Sequence, residues 1–227
     1  MCEVHHMPIE IDCFKAYDIR GRIPDQLNPD VAYRIGNATA GFLGARKLVL
    51  GRDIRLSSKE LSDAVANGIR DAGAEVMDIG LGGTEMVYFA TDYLEADGGI
   101  MVTASHNPAD YNGLKIVREQ AKPVSADTGL QDIRKLAEGD VRVLSERRGM
   151  HAPVNIFRPY IEHLLTYIDS DALQPLRLVV NPGNGGAGIA LDGLRKRLPF
   201  DIVEVNYEPD GTFPNGIPNP MILDTRR

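Results

Sequence analysis

Short apolar runs of strand length alternate with segments of helical period along most of this chain, and that alternation constrains the fold more than any other feature. Asn28-Pro29 places a good cap before a first-turn proline, and Val31, Ile35, Phe42 and Leu43 follow on one helical face. Leu48 to Leu50 reads as a strand. Ser57-Ser58-Lys59-Glu60 has capping-box spacing, and Leu61, Ala64, Val65, Gly68, Ile69 and Ala72 recur at helical intervals until Gly73 stops the helix. Glu75 to Ile79 is then a strand, Thr84 to about Tyr93 a helix, Gly98 to Val102 and Leu114 to Val117 strands, and Asp127 to Glu138 a helix. This order predicts a layered α/β domain with a mixed sheet.

Hydrophobic periodicity is lost at Glu146-Arg147-Arg148-Gly149-Met150, which sets an expected boundary near residue 150. Beyond it Ile161, Leu164, Leu165 and Ile168 mark an amphipathic helix, Leu176 to Val180 a strand, Ile189 to Leu198 a helix and Ile202 to Val205 a strand. The same grammar has begun again, so a second, incomplete α/β domain of similar design is expected over 151–227, after a first domain over 14–150 and a flexible N-terminus over 1–13. Prolines and glycines from Tyr207 onward predict an extended, irregular segment.

The strand Gly98 to Val102 empties into Thr103-Ala104-Ser105-His106-Asn107-Pro108. A β-branched run ending abruptly in small and polar residues, then Asn-Pro, predicts a buried strand leading into a fixed loop, with the Ser105 hydroxyl presented at its tip. A serine hydroxyl is a poor nucleophile unless a base or a strong local field activates it. His106 is adjacent, and Lys115 and Arg118 lie a few residues on. The commoner duty of such residues is to hydrogen-bond their own turn, and the spacing alone leaves both readings open. A serine hydrolase is disfavoured, because adjacent residues in a turn do not easily form a nucleophile–base pair and the G-x-S-x-G elbow is absent.

Composition removes several classes. The 25 basic residues are scattered among 32 acidic ones, for a net charge of −7, which argues against nucleic-acid binding. Apolar stretches such as Leu176-Arg177-Leu178-Val179-Val180 fall far short of the roughly 20 residues of a spanning helix, so no membrane partner is expected. Met1 to His6 has no basic and apolar segment pair of a secretory signal, which points to a cytoplasmic protein, and Cys2 and Cys13 give no disulfide framework and are read as reduced. The His5-His6 pair lacks further ligands and reads as an incidental solvated feature. Gly183-Asn184-Gly185-Gly186-Ala187-Gly188 fits a dinucleotide fingerprint between a strand and a helix. Too little chain follows it for two mononucleotide halves, so a structural turn is preferred, with some phosphate-related role left open.

Taken together, Thr103 to Pro108 resembles the phosphoserine loop of the α-D-phosphohexomutases, the family of phosphomannomutases and phosphoglucomutases. Phe14-Lys15-Ala16-Tyr17-Asp18-Ile19-Arg20-Gly21 is similar to that family's amino-terminal substrate loop, and Gly51-Arg52-Asp53-Ile54-Arg55 to its second conserved turn. Asp110-Tyr111-Asn112-Gly113-Leu114-Lys115, Asp210-Gly211-Thr212-Phe213-Pro214-Asn215 and Pro218-Asn219-Pro220 also resemble family motifs, in order. The run Gly83 to Thr91, with Ala126 to Leu130, is most similar to bacterial phosphomannomutases of the polysaccharide and GDP-mannose pathways.

The resemblance implies a serine that gives its phosphoryl group to a hexose monophosphate and recovers the other phosphoryl group from the bisphosphate formed. It makes Ser105 the phosphoryl carrier, Lys115 and Arg20 candidates for acid/base and charge-stabilising roles, His106 a support for the loop and its proton, and Tyr17 and Asn107 parts of the substrate site. Mg²⁺ is the implied cofactor, held here by the phosphate on Ser105. The family's D-G-D-x-D-R metal loop is missing, as are its sugar-selecting and distal phosphate-binding loops. These residues therefore read as the amino-terminal half of a four-domain enzyme, cut shortly before the metal loop and inactive alone. Hexose phosphates, mannose or glucose 1- and 6-phosphate and the 1,6-bisphosphate, are the implied partners. Mannose versus glucose stays open, as does a non-catalytic phosphosugar-binding remnant, and the sequence assigns no oligomeric state.

Overall fold

The computed structural model describes residues 8–216 together with 219 and 221. The motif Pro218-Asn219-Pro220 lies largely outside the described residues, and Cys2 and the His5-His6 pair lie wholly outside them. The order is β1 (Ile19–Arg22), α1 (Pro29–Leu43), β2 (Lys47–Arg52), α2 (Ser58–Asp71), β3 (Glu75–Leu81), α3 (Thr84–Tyr93), β4 (Gly98–Val102), β5 (Tyr111–Arg118), β6 (Lys122–Pro123), α4 (Leu130–Glu138) and β7 (His151–Pro153). Then follow α5 (Phe157–Leu165), β8 (Leu176–Val180), α6 (Ala187–Leu194) and β9 (Phe200–Glu204). The first sheet has strand order β1-β5-β4-β2-β3-β7, with β6 on β5. β4, β2, β3 and β7 run parallel, and β5 is antiparallel to both β4 and β1, so the sheet is mixed as expected. A separate parallel pair, β8 and β9, begins the second unit.

Alternation along the central strands explains why their runs are apolar throughout. Leu48 and Leu50 of β2, and Ile100 and Val102 of β4, pack into the core under α1, α2 and α4, whereas Val49 and Met101 turn to the opposite core with α3 and α5. A sheet covered on both faces has no solvent side to code as polar.

α1 and α2 cross at backbone distance. A Cβ on Gly36 would lie 2.5 Å from the Val65 carbonyl oxygen, and one on Gly68 would lie 2.1 Å from that of Tyr33. Buried Asn37 closes the crossing by donating to the Gly68 (3.1 Å) and Val143 (2.8 Å) carbonyls and accepting from Val143 N–H (2.9 Å).

Several local expectations change. Ser57 precedes α2 but makes no side-chain cap, because its hydroxyl accepts from Asn112 Nδ2 at 2.9 Å. α4 begins at Leu130 rather than Asp127, since Gly129 at φ 125° separates it from a 3-10 turn over Ala126–Thr128. α5 stops at Leu165, leaving Ile168 outside it. Residues 8–13, expected to be flexible, are held. Ile11 and Cys13 are buried, Ile11 N–H donates to Glu138 Oε1 at 2.9 Å, and burial pushes the Cys13 thiol up to about 12. The segment around residue 150 runs along α2 and β3, with Arg148 paired to Asp71 and Val76 N–H donating to the Met150 carbonyl. Through β7 the first sheet thus takes a strand from beyond residue 150.

Alanine at a free helix position is favoured over glycine by about 1 kcal/mol. At Gly68 the new Cβ must push two backbones apart, and overpacking of this kind costs about 1–3 kcal/mol. Gly68→Ala should therefore lower the unfolding free energy in urea titration, and a stability equal to or above that of the parent chain would contradict the close-crossing account.

Candidate active site

The parallel strands β2, β3 and β4 deliver their carboxyl ends to one edge of the sheet, the position where open α/β sheets bind ligands. Asp53, Gly82 to Met86, Thr103, Ser105 and His106 line a cleft there of about 410 Å³, and Pro182, Gly185, Gly186, Ala187 and Phe213 of the second unit line its other side. α3 and α6 both start at this cleft, so their N-terminal N–H groups and positive dipole ends lie along its wall.

Ser105 is exposed at the loop tip in a left-handed conformation, φ 54°. Such a residue persists only where its surroundings over-determine it, at a cost of about 1–3 kcal/mol. Here the determinant is Arg55, a side chain the sequence reading left without a role. Only 3% exposed, Arg55 donates through Nη2 to the carbonyls of Ser105 (2.8 Å) and Asn107 (2.6 Å), and through Nη1 to those of Pro108 (2.6 Å) and Tyr111 (3.0 Å). Its Nε lies 3.4 Å from Asp53 Oδ2. Burial pushes the guanidinium below its ordinary pKa, and the Asp53 charge pulls it back up.

Asp53 ties the other end of the loop. Its Oδ2 accepts from Thr103 Oγ1 (2.6 Å), which itself accepts the Ser105 N–H (2.9 Å). Its Oδ1 accepts from Ser58 Oγ (2.5 Å) and Arg55 N–H (3.0 Å). Buried Asn112 donates to both Ser57 and Ser58 hydroxyls at 2.9 Å, which joins β5 to the same network.

Of the residues expected at the site, Ser105 and His106 line the cleft, and His106 Nδ1 stands 3.2 Å from Ser105 Oγ. That distance corrects the expectation that neighbours in a turn do not easily pair. Arg20 donates to Asn107 Oδ1 at 3.0 Å and to Asp18 Oδ2 at 2.7 Å, and Lys115 donates to that same Asp18 oxygen at 3.1 Å. The antiparallel register of β1 on β5, with Ile19 opposite Leu114, brings these two cations together despite their separation in sequence. Arg20 thus reaches the Ser105 loop through Asn107, whereas Lys115 reaches it through Asp18 and Arg20. Tyr17 is 82% exposed, which removes core packing as its role, and it does not line the cleft.

The glycine-rich turn is accounted for internally. Asn184, at φ 60°, donates through Nδ2 to the Glu208 carbonyl (2.8 Å) and accepts at Oδ1 from Asn215 (2.8 Å), and Gly188 lies against the Tyr207 ring, 3.0 Å from where its Cβ would be. No dinucleotide is needed to explain these residues. Among the described residues no three His, Cys, Asp or Glu side chains gather into a group that could hold a metal ion, and both Asp53 oxygens are engaged by protein donors. The described residues do not by themselves fit a resident magnesium ion.

Lysine in place of Arg55 would keep a positive charge but not the planar fork that spans four carbonyls. Each hydrogen bond to a charged group contributes about 1.5–3 kcal/mol, and lost partners leave buried carbonyls unsatisfied. Arg55→Lys should destabilise the chain by about 2 kcal/mol or more and accelerate amide exchange across Ala104 to Tyr111. Unchanged exchange there would remove Arg55 as the determinant of the loop.

Residues 12–141 match the profile described as phosphoglucomutase/phosphomannomutase, alpha/beta/alpha domain I, and residues 158–225 match that of domain II. A curated relative from Xanthomonas campestris pv. campestris (strain B100), called phosphohexose mutases, is 55% identical over 216 residues, covering 95% of this chain and 48% of the relative. The phosphomannomutase of Salmonella montevideo is 52% identical over 223 residues, covering 95% and 49%. Among solved structures, the phosphoglucomutase/phosphomannomutase family protein from Burkholderia thailandensis superposes with a TM-score of 0.83 at 35% identity, covering 95% of this chain and 48% of that one. The chain therefore spans about half the length of the curated relatives it matches. With domain I alone matching more than half of its residues, the chain belongs to the phosphoglucomutase/phosphomannomutase family.

Proposed function

We propose that Ser105 is the phosphoryl carrier of a phosphomannomutase that interconverts mannose 6-phosphate and mannose 1-phosphate through a hexose 1,6-bisphosphate. The observation that carries this reading is the exposed, left-handed Ser105, held by buried Arg55 at the cleft with His106 Nδ1 3.2 Å from its hydroxyl. The preference for mannose over glucose rests on the names of relatives such as the Salmonella phosphomannomutase. On this reading residues 14–150 hold the carrier and 151–227 supply the facing wall of the cleft.

Phosphoserine passes its PO₃ unit to a sugar hydroxyl: a P–O bond to the sugar forms, the bond to Ser105 Oγ breaks, the sugar hydroxyl proton leaves to a base, and Oγ takes up a proton to become the serine hydroxyl. In the return step Oγ attacks the other phosphate of the reoriented bisphosphate, the P–O bond to the sugar breaks, the departing sugar oxygen takes up a proton and the Oγ proton moves to a neighbouring acceptor. His106 Nδ1 is within reach of that proton. Phosphoryl transfer passes through a loose transition state whose charge lies on the equatorial oxygens, so positioning and positive charge supply most of the catalysis. Arg20 and Lys115 are assigned that charge, with Asp18 fixing both, and Asn107 and Tyr17 are assigned to the sugar side. Mg²⁺ is the cofactor this reading expects; a phosphate on Ser105 would offer it one oxygen, and no carboxylate cluster among the described residues would complete its coordination.

Incubation with radiolabelled hexose 1,6-bisphosphate, followed by peptide mapping, should place label on Ser105 and none in Ser105→Ala. Label retained in that variant would sink the assignment. A positioned acid/base contributes about 10²–10⁴ in rate; His106→Gln should slow labelling by a factor in that range, and an unchanged rate would restrict His106 to supporting the loop. These 227 residues should accept label yet convert mannose 1-phosphate far more slowly than the longer Salmonella relative in a coupled assay. Equal turnover would mean that the sugar grip is assembled from residues other than those assigned here.

A further inference from the structure

Phe213 is an oddity of the irregular carboxyl-terminal segment. It is non-glycine at φ 50°, yet only 8% exposed, and its ring lies under the Arg55 guanidinium, 5.3 Å from centroid to Cζ. Arg55 is the residue that holds the Ser105 loop and the start of β5 by four carbonyls. A ring from the second unit thus lies against the side chain on which the first unit's loop depends.

The approach is built into the surrounding residues. Gly211 passes so close to the β2 turn that a Cβ there would stand 2.3 Å from the Ile54 carbonyl oxygen, so only glycine brings Phe213 to Arg55 along this path. Asp210 accepts at Oδ1 from Thr212 N–H (2.9 Å) and Thr212 Oγ1 (2.7 Å), which holds its carboxyl below the usual range, and Phe213 N–H donates to the Asp210 carbonyl (3.0 Å). The turn is hung from Asn184, whose carbonyl accepts the Asp210 N–H at 2.9 Å. Gly185 and Gly186, next along the chain, line the cleft that Ser105 enters. The wall of the cleft and the ring on Arg55 are therefore one piece of chain.

We infer that Phe213 is a positioning residue: by stacking on Arg55 it fixes the Ser105 loop in its left-handed form, so that the second unit sets the readiness of the hydroxyl in the first. A guanidinium on an aromatic face, shielded from water, gains an attraction that an aliphatic side chain of similar bulk does not supply. The catalytic half of this inference rests on the reading of Ser105 as phosphoryl carrier; the structural half does not.

The test compares Phe213→Leu, Phe213→Tyr and Gly211→Ala in the full chain by hydrogen exchange and by the rate of Ser105 labelling from hexose 1,6-bisphosphate. Phe213→Leu should speed amide exchange of residues 104–107 by about 3–30-fold, the range from an exposed to a desolvated cation–π contact. It should slow labelling while the β4 amides keep their protection. Phe213→Tyr should restore both readouts to within about twofold of the parent chain, since the ring face is kept. Gly211→Ala should reproduce Phe213→Leu. Loop exchange in Phe213→Leu equal to that of the parent, equal loss in the leucine and tyrosine variants, or loss of β4 protection in step with the loop would each overturn the inference. Loop exchange that responds as expected in a chain that takes no label on Ser105 supports the positioning contact and refutes the carrier assignment instead.

Discussion

The buried guanidinium of Arg55 is the interaction on which the site depends. Placing a charge in the interior costs several kcal/mol unless it is paired and hydrogen-bonded. Here Asp53 and four main-chain carbonyls meet that cost; three belong to the loop that carries Ser105, and the fourth, of Tyr111, to the first residue of β5. The loop has few alternatives. If Ser105 relaxed to a right-handed conformation its carbonyl would turn away from Nη2, and a donor in a low-dielectric site would lose its partner. The strain at Ser105 and the burial of Arg55 are thus two halves of one arrangement.

That arrangement needs a sheet able to bring distant segments to one edge. Parallel pairing of β2 with both β3 and β4 puts Asp53-Ile54-Arg55, Gly82-Gly83-Thr84 and Thr103-Ala104-Ser105 side by side. Antiparallel β5 then returns Asn112 and Lys115 past the same edge, and β1 on its far side adds Asp18 and Arg20. An antiparallel strand next to β4 is what permits this, because a parallel one would carry its polar residues to the opposite end. The second unit contributes from across the cleft, where Asn184 gathers residues 206–215 by main-chain and side-chain hydrogen bonds.

Much of the fold was legible because the central strands and main helices declare themselves by period. Thr84 to Tyr93, Gly98 to Val102 and Leu176 to Val180 coincide with their elements. What failed at the ends of elements failed for tertiary reasons. Ser57 and Ser58 look like a cap and instead serve Asn112 and Asp53, a competition no local pattern contains. Ser105, His106, Asn107 and Arg20 were legible as a group through ordered motifs. Arg55 stands within such a motif, but its type conceals its role, since a charged residue is by default exposed. Phe213 was hidden for the opposite reason: an isolated aromatic in a proline- and glycine-rich segment carries no periodicity to announce its burial.

A chain with net charge −7 repels an anionic ligand at long range, so any attraction at the loop must be local. Arg20 and Lys115 share one oxygen of Asp18, and Arg55 pairs with Asp53, which leaves the neighbourhood of the loop with more cationic than anionic groups. Glu85 on the opposite wall is exposed, where water screens it. A phosphoryl group brings about −1.5 to −2 charges at neutral pH. The excess of cations therefore suits the phosphorylated loop better than the bare one. Because Asp18 is divided between two partners, either cation can turn toward an anionic oxygen at the loop while the other keeps the half-buried carboxylate paired.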